Sequence, residues 1–282
     1  MLKISNIDKE TSLDENGFLK TKLRENFNFS ELVENIKNIQ TNSDDQTLGY
    51  STDIYDRLDE SNKANLNKLA NKFLRYEIVT RYLKIPRLLK IMVLKSKFNI
   101  ESLKNPSRAM LWHRDLDDVF SQLKLVIPLN LNDTENGAFS VASKKIAPRD
   151  VILVDKKLQD ELESSNNDYR TEDKLRVSDL TFKKYYRDYI YEHKGDTTDL
   201  LFVDTNKCYH KGGQVLKEDH ERYVLFIHFG QLTNFWHPLI QLKKKNIFSY
   251  IYFVFVKFVR LFMRLYFSLL NKKINSKKKF LY

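Results

Sequence analysis

From about Leu111 to Gly230 the chain is written in strands. Leu123, Leu125, Ile127 and Leu129 take every second position, the period of a half-buried strand. Leu200 to Val203 and Tyr223 to Phe229 are further strand-length apolar runs. In the last of these Arg222, Val224, Phe226 and His228 share one face. Asn136-Gly137 carries the two-residue hairpin signal, because both positions tolerate positive φ. This half of the chain is therefore expected to be mainly β.

The flanks read differently. Residues 1–55 are polar, with short apolar patches such as Phe27 to Leu32, and are expected to form loops and short helices. From Asp56 to about Phe98 the pattern is a helical lead-in, with Leu66, Leu69, Phe73, Ile78 and Tyr82 near helical spacing. Pro86 should end or restart that helix, and Leu88 to Leu94 after it is either a second helix or the first strand. Asp155 to Glu192 is polar and tyrosine-rich, and reads as an insertion or lid with some helix.

Three short segments within the β half supply metal-ligand chemistry. His113 and Asp115 stand two apart, so on a strand both side chains leave one face and can chelate one ion. His210 follows one apolar strand, and Arg222, twelve residues on, opens the next. Two neutral imidazoles and a carboxylate with open positions beside them form the facial triad of non-haem Fe(II) oxygenases. An arginine fork matches a carboxylate bidentately, which suits the far carboxylate of 2-oxoglutarate. From spacing alone, ordinary core or surface polar residues account for the pattern equally well.

Among the remaining polar residues, His228, on the face of Arg222, is read as a satisfied core histidine ahead of a co-substrate contact, and His193, His220 and His237 as surface or structural. Cys208 is read as packing. Arg114 is expected to point away from the ligands toward an outer contact, and strand parity leaves the direction of Lys124 open.

The stretch from Trp112 through Asp118, continued by Leu123-Lys124-Leu125 and Glu135-Asn136-Gly137-Ala138, resembles the phytanoyl-CoA dioxygenase family. So does Gly195 to Gly212, where Phe202-Val203-Asp204-Thr205 leads into His210-Lys211-Gly212, and so does the Ile78 to Leu94 segment upstream. The resemblance covers roughly residues 60–232. It implies a double-stranded β-helix (a jelly-roll or cupin-like barrel) with N-terminal helices, occupying residues 56–242 with the barrel over about 99–232. It further implies Fe(II), 2-oxoglutarate as co-substrate and O2, with His113, Asp115 and His210 as iron ligands and Arg222 as the 2-oxoglutarate anchor. The implied reaction hydroxylates a C–H bond and releases succinate and CO2. Where many relatives continue to a Pro-Gly-Ser-His run, this chain has Val141-Ala142-Ser143-Lys144-Lys145, a departure that bears on substrate recognition. Asp115 is present where related halogenases leave the position open, which favours hydroxylation. A non-catalytic binding or scaffold module on the same barrel is the alternative.

Charge is confined to one end. Of 48 Lys and Arg residues eleven lie in 243–282, which has no Asp or Glu, so 37 basic residues face 37 acidic ones in the rest. A basic nucleic-acid-binding body is thus not indicated. Within the tail, Ile247 to Leu270 is 24 residues of nearly continuous aliphatic and aromatic character. Lys257, Arg260 and Arg264 interrupt it, and fall on one narrow stripe of a helical wheel. A helix of that length reaches about 36 Å, enough to span a bilayer. Its three charges cost on the order of 9 kcal/mol at mid-membrane, which leaves a span near break-even. An in-plane amphipathic helix on an anionic membrane surface avoids that cost and is the expected state, ahead of a span or of packing against protein. One cysteine and the lack of an apolar signal core in residues 1–19 point to a cytoplasmic protein, the tail points to peripheral membrane association, and from that location a small-molecule or lipid-linked substrate is expected.

Overall fold

In the central strands every second residue faces one apolar layer and the residues between face another, so the sheet they build is covered on both sides. The computed structural model describes residues 12–23, 27–41, 51–83, 86–104, 106, 108–115, 122–163 and 176–231. The chain runs through β1 (Phe18–Lys22), α1 (Ser30–Asn38), β2 (Ser51–Asp53), α2 (Glu60–Phe73), α3 (Glu77–Leu83), β3 (Pro86–Lys97) and α4 (Ile100–Lys104). It continues through β4 (Gln122–Pro128), β5 (Phe139–Ala142), α5 (Pro148–Glu163), α6 (Asp179–Tyr185), β6 (Ile190–His193), β7 (Asp199–Val203), β8 (His210–Lys211) and β9 (Glu221–Gln231).

Among the described residues all strand pairing is antiparallel. Six strands form one sheet in the order β1-β7-β4-β9-β3-β2, and three form a second in the order β6-β5-β8. A single bridge between His113 and His210 adds a fourth, minimal strand beside β8. Two facing antiparallel sheets whose neighbours are rarely consecutive in sequence make a jelly roll, here a double-stranded β-helix with helices outside.

The two faces of the large sheet have separate partners. Leu123, Leu125 and Ile127 of β4, with Leu225, Ile227 and Phe229 of β9, pack on Leu32, Ile36, Leu66, Phe73 and Val79 of the helices. The alternate residues Val126, Val203, Val224 and Phe226 pack instead with Phe139 and Val141 of the small sheet. Hence β4, expected to be half-buried, is covered on both faces because α1–α3 roof the side that an open sheet would give to water. The helical reading of Leu66, Leu69 and Phe73 is realised in α2, whose apolar stripe faces that roof. Asp59 caps the helix, its carboxylate accepting from Asn62 N at 2.7 Å.

Several expectations are corrected. The helical lead-in stops at Leu83, and residues 86–97 are the long strand β3, with Pro86 as its first residue, where a missing N–H costs least. The first 55 residues carry the short helix α1 among loops, as expected, and also two strands, β1 pairing with β7 and β2 with β3 at the two edges of the large sheet. Gly137 does take positive φ (79°), but Asn136-Gly137 is no hairpin, because the strands on either side, β4 and β5, lie in different sheets. The expected insertion at 155–192 ends in β6, a strand of the small sheet. Its helical parts, α5 and α6, pack Val151 and Phe182 on Trp112, Ala142 and Tyr209 and so cover that sheet's outer face. Residues 164–175, His237 and the tail at 243–282 lie outside the described residues. Among the described residues no helix is long and apolar enough to cross a membrane.

Candidate metal centre

His113 and His210 sit directly opposite each other across an antiparallel bridge. They exchange both backbone hydrogen bonds, His113 N to His210 O at 3.0 Å and His210 N to His113 O at 2.9 Å. Side chains of such a pair leave the same face with their Cβ atoms about 5 Å apart, and here the ring centroids are 4.3 Å apart. Asp115, two residues on, returns to that face, and its backbone N–H is held by Thr205 O at 2.9 Å. One ligand atom from each of the three lies within 4.8 Å of the others. Asp115 Oδ1 is 4.0 Å from His113 Nε2, and Oδ2 is 3.8 Å from His210 Nε2.

The ring nitrogens are sorted by the backbone. His113 Nδ1 lies 2.8 Å from Leu111 O, and His210 Nδ1 lies 3.2 Å from Cys208 O. A carbonyl only accepts, so each Nδ1 carries the proton and each Nε2 keeps its lone pair. Burial, opposed by Asp115, pushes His113 down to about 4. Burial and the adjoining His113 hold His210 well below the usual imidazole range. Both are therefore neutral at neutral pH. Burial alone would raise the Asp115 carboxyl, but the Lys124 ammonium at 2.5 Å from Oδ2 outweighs it and holds the group well below the usual carboxylate range. Two neutral imidazoles with tethered Nδ1 atoms and one ionised carboxylate fit a divalent transition metal, by donor type and by outer-shell support.

The surroundings are tied to the same strands. Gln122, two before Lys124 on the inward face of β4, donates to Thr205 Oγ1 and Asn206 Oδ1, both at 3.1 Å. Arg114 turns away from the ligands, as expected, and donates from Nε to Asn206 O at 2.7 Å. Asp204, fully buried, accepts from Tyr82 of α3 at 2.5 Å and pairs with Lys207 at 3.1 Å. The turn between β7 and His210 is thus clamped from three directions. Arg222 is also fully buried, and its Nη1 donates to Gly213 O at 2.7 Å. No more than about 11 Å of chain separates Gly213 from His210. A Cβ at Gly213 would come within 2.2 Å of Gly137 C, so this backbone crossing behind the arginine needs both glycines.

Other residues find plainer places. Cys208 is buried, donates to Asn16 O, and burial pushes its thiol up to about 12. His193, read as surface or structural, is wholly buried in β6. His228 lies opposite Lys124 in the β4–β9 register. Lys124, whose direction the sequence left open, is the partner that sequence reasoning missed. Its place between Leu123 and Leu125 forces it to the face opposite theirs, but only the fold shows that this face is the inner one. A cavity of about 560 Å³ lies on the other side of the small sheet, lined by Trp112, Ser140, Asp179 and Lys211 among others. Trp112 and Lys211 adjoin His113 and His210 in sequence and point the opposite way.

The chain matches no family model and no curated protein. It is similar to solved structures. One is HygX from Streptomyces hygroscopicus with nickel and 2-oxoglutarate bound, at 13% identity over 78% of this chain and 85% of that one, TM-score 0.48. Another is SnoN, a non-haem alpha-ketoglutarate-dependent epimerase from nogalamycin biosynthesis, at 13% identity over 78% and 80%, TM-score 0.46. A third is SnoK, a carbocyclase from nogalamycin biosynthesis with the same dependence, at 13% identity over 80% and 85%, TM-score 0.48. At such identity the likeness is one of backbone course, and this chain's chemistry has to be read from its own side chains.

Proposed function

We propose that this chain is an Fe(II)- and 2-oxoglutarate-dependent dioxygenase of the phytanoyl-CoA dioxygenase type, which hydroxylates a C–H bond of a small-molecule or lipid-linked substrate. One observation carries the proposal: two imidazoles whose Nδ1 atoms are tethered to carbonyls turn their Nε2 atoms toward an ionised Asp115. In this reading His113, Asp115 and His210 would hold Fe(II). Bound Fe(II), with 2-oxoglutarate and O2, would supply the oxidising power for hydroxylation, with succinate and CO2 as co-products. Arg222 pairs with the distal carboxylate of 2-oxoglutarate, its fork held in place by Gly213 O. Phe139 and Phe226, 5.8 Å apart between the sheets, keep water from the inner side, Phe139 standing 5.7 Å from the His210 ring. Intact Asp115 favours hydroxylation over halogenation.

Anaerobic calorimetry tests the proposal: 2-oxoglutarate should bind only when Fe(II) is present. If the folded protein binds neither, the barrel is better read as a non-catalytic scaffold.

The tail completes the proposal. Residues 243–282 attach the enzyme to the cytoplasmic face of an anionic membrane, supported by their eleven basic residues and the apolar run of 247–270. Each lysine near such a surface contributes about 1 kcal/mol. Deleting 243–282 is therefore expected to abolish co-sedimentation with vesicles rich in phosphatidylserine. Unchanged sedimentation of the truncated protein would refute the attachment.

A further inference from the structure

Lys124 does more than neutralise a carboxylate. Leu123 and Leu125 on either side of it face the helix layer, so the lysine is delivered inward from β4, which is paired on both edges, with Val203 of β7 and with His228 of β9 opposite Lys124 itself. A strand so held does not move its side chains away as a loop can. The ammonium stops 2.5 Å from Asp115 Oδ2, and its side chain is only 12% exposed.

Resting on the metal-centre reading above, we propose that Lys124 is a positioning residue: it occupies one oxygen of Asp115, so that Asp115 ligates through the other alone, and its charge makes tight metal binding depend on an anionic 2-oxo acid. Two physical effects lead there. A carboxylate that chelates with both oxygens takes two coordination positions, and the second is one that co-substrate or O2 requires. An ion pair on Oδ2 keeps that position open. The fixed positive charge also repels a divalent cation a few ångströms away, in surroundings where charges are screened far less than in water. Metal alone is therefore held weakly. A 2-oxo diacid brings two negative charges to the same place and offsets the repulsion. By linkage, each ligand then strengthens the other by one common factor, about 5–150-fold in typical coupled sites.

The test titrates the full-length wild type, Lys124→Met and Lys124→Arg with Co(II), with and without 2-oxoglutarate, by calorimetry and visible absorption. Wild type is expected to bind Co(II) weakly alone and at least about fivefold more tightly with 2-oxoglutarate. The Met variant should bind Co(II) alone roughly tenfold or more tightly than wild type. Its coupling should shrink, and its cobalt bands should shift as Asp115 becomes free to use both oxygens. The Arg variant should keep the wild-type pattern. Thermal unfolding checks that the Met variant folds, and Lys124→Gln serves as a second neutral variant if it does not. Neutral variants with wild-type cobalt affinity, coupling and spectrum overturn this proposal alone. Absence of cobalt binding in all of them, wild type included, overturns the metal-centre reading and takes this proposal with it.

Discussion

Replacing His210 by alanine is expected to abolish Fe(II)-dependent succinate formation while leaving the protein folded. In the proposed site the imidazole is one of three ligands, and loss of an outer-shell partner alone typically lowers metal affinity or activity about 10–100-fold, so loss of a ligand itself must cost more. The fold should tolerate the change because His210 joins the small sheet through its backbone, by the paired bonds to His113 and by register with Val141. Alanine keeps those bonds. The side chain is 4% exposed, so some packing is lost, within the roughly 0.5–3 kcal/mol of ordinary substitutions. Calorimetry with Fe(II), a succinate assay and a thermal melt on the same preparation separate the two effects. Undiminished succinate formation in a folded His210→Ala protein would sink the assignment of the site.

How much of this was legible beforehand depended on the range of the interaction. Periodicity marked β4, β9 and the stripe of α2, because each follows from which residues are apolar within a few positions. It marked the inward row Arg222, Val224, Phe226 of β9 for the same reason, and the structure places Val224 and Phe226 between the sheets. The Asn136-Gly137 turn shows the limit. A positive φ at Gly137 is local chemistry and is present, but whether the following strand pairs back or crosses to a second sheet is decided by contacts many residues away. The strand β3 is a similar case, since an apolar run after a proline fits helix or strand until β9 is there to pair with it. At the candidate site, the His-x-Asp spacing put two donor side chains on one face, which ordinary polar residues explain equally well. The bridge between His113 and His210, across nearly a hundred residues, and the ion pair of Lys124 with Asp115 have no local signature. Family resemblance named the candidate ligands; the register that brings those three residues together belongs to the fold.

Arg222→Met is expected to weaken 2-oxoglutarate binding about 30-fold to several-thousand-fold, the range that corresponds to the roughly 2–5 kcal/mol of removing one partner from a buried charge pair. Metal affinity should change little, because the guanidinium donates to Gly213 O and Arg222 is not one of the three candidate metal ligands. That asymmetry distinguishes a co-substrate anchor from a general prop of the site. Lys in place of Arg keeps the charge but loses the planar fork, so Arg222→Lys should fall between wild type and Met. A structural effect must be separated out, since the Met variant also leaves Gly213 O without its donor. Stranding a buried acceptor costs about 1–3 kcal/mol of stability, and this is read from thermal unfolding in the absence of ligand. A purely structural arginine would show that stability loss with parallel losses of metal and 2-oxoglutarate binding. An anchoring arginine loses the co-substrate and keeps the metal. Wild-type 2-oxoglutarate affinity in a folded Met variant would remove Arg222 from the site and move the search for the carboxylate's partner to Lys124, whose ammonium reaches Asp115.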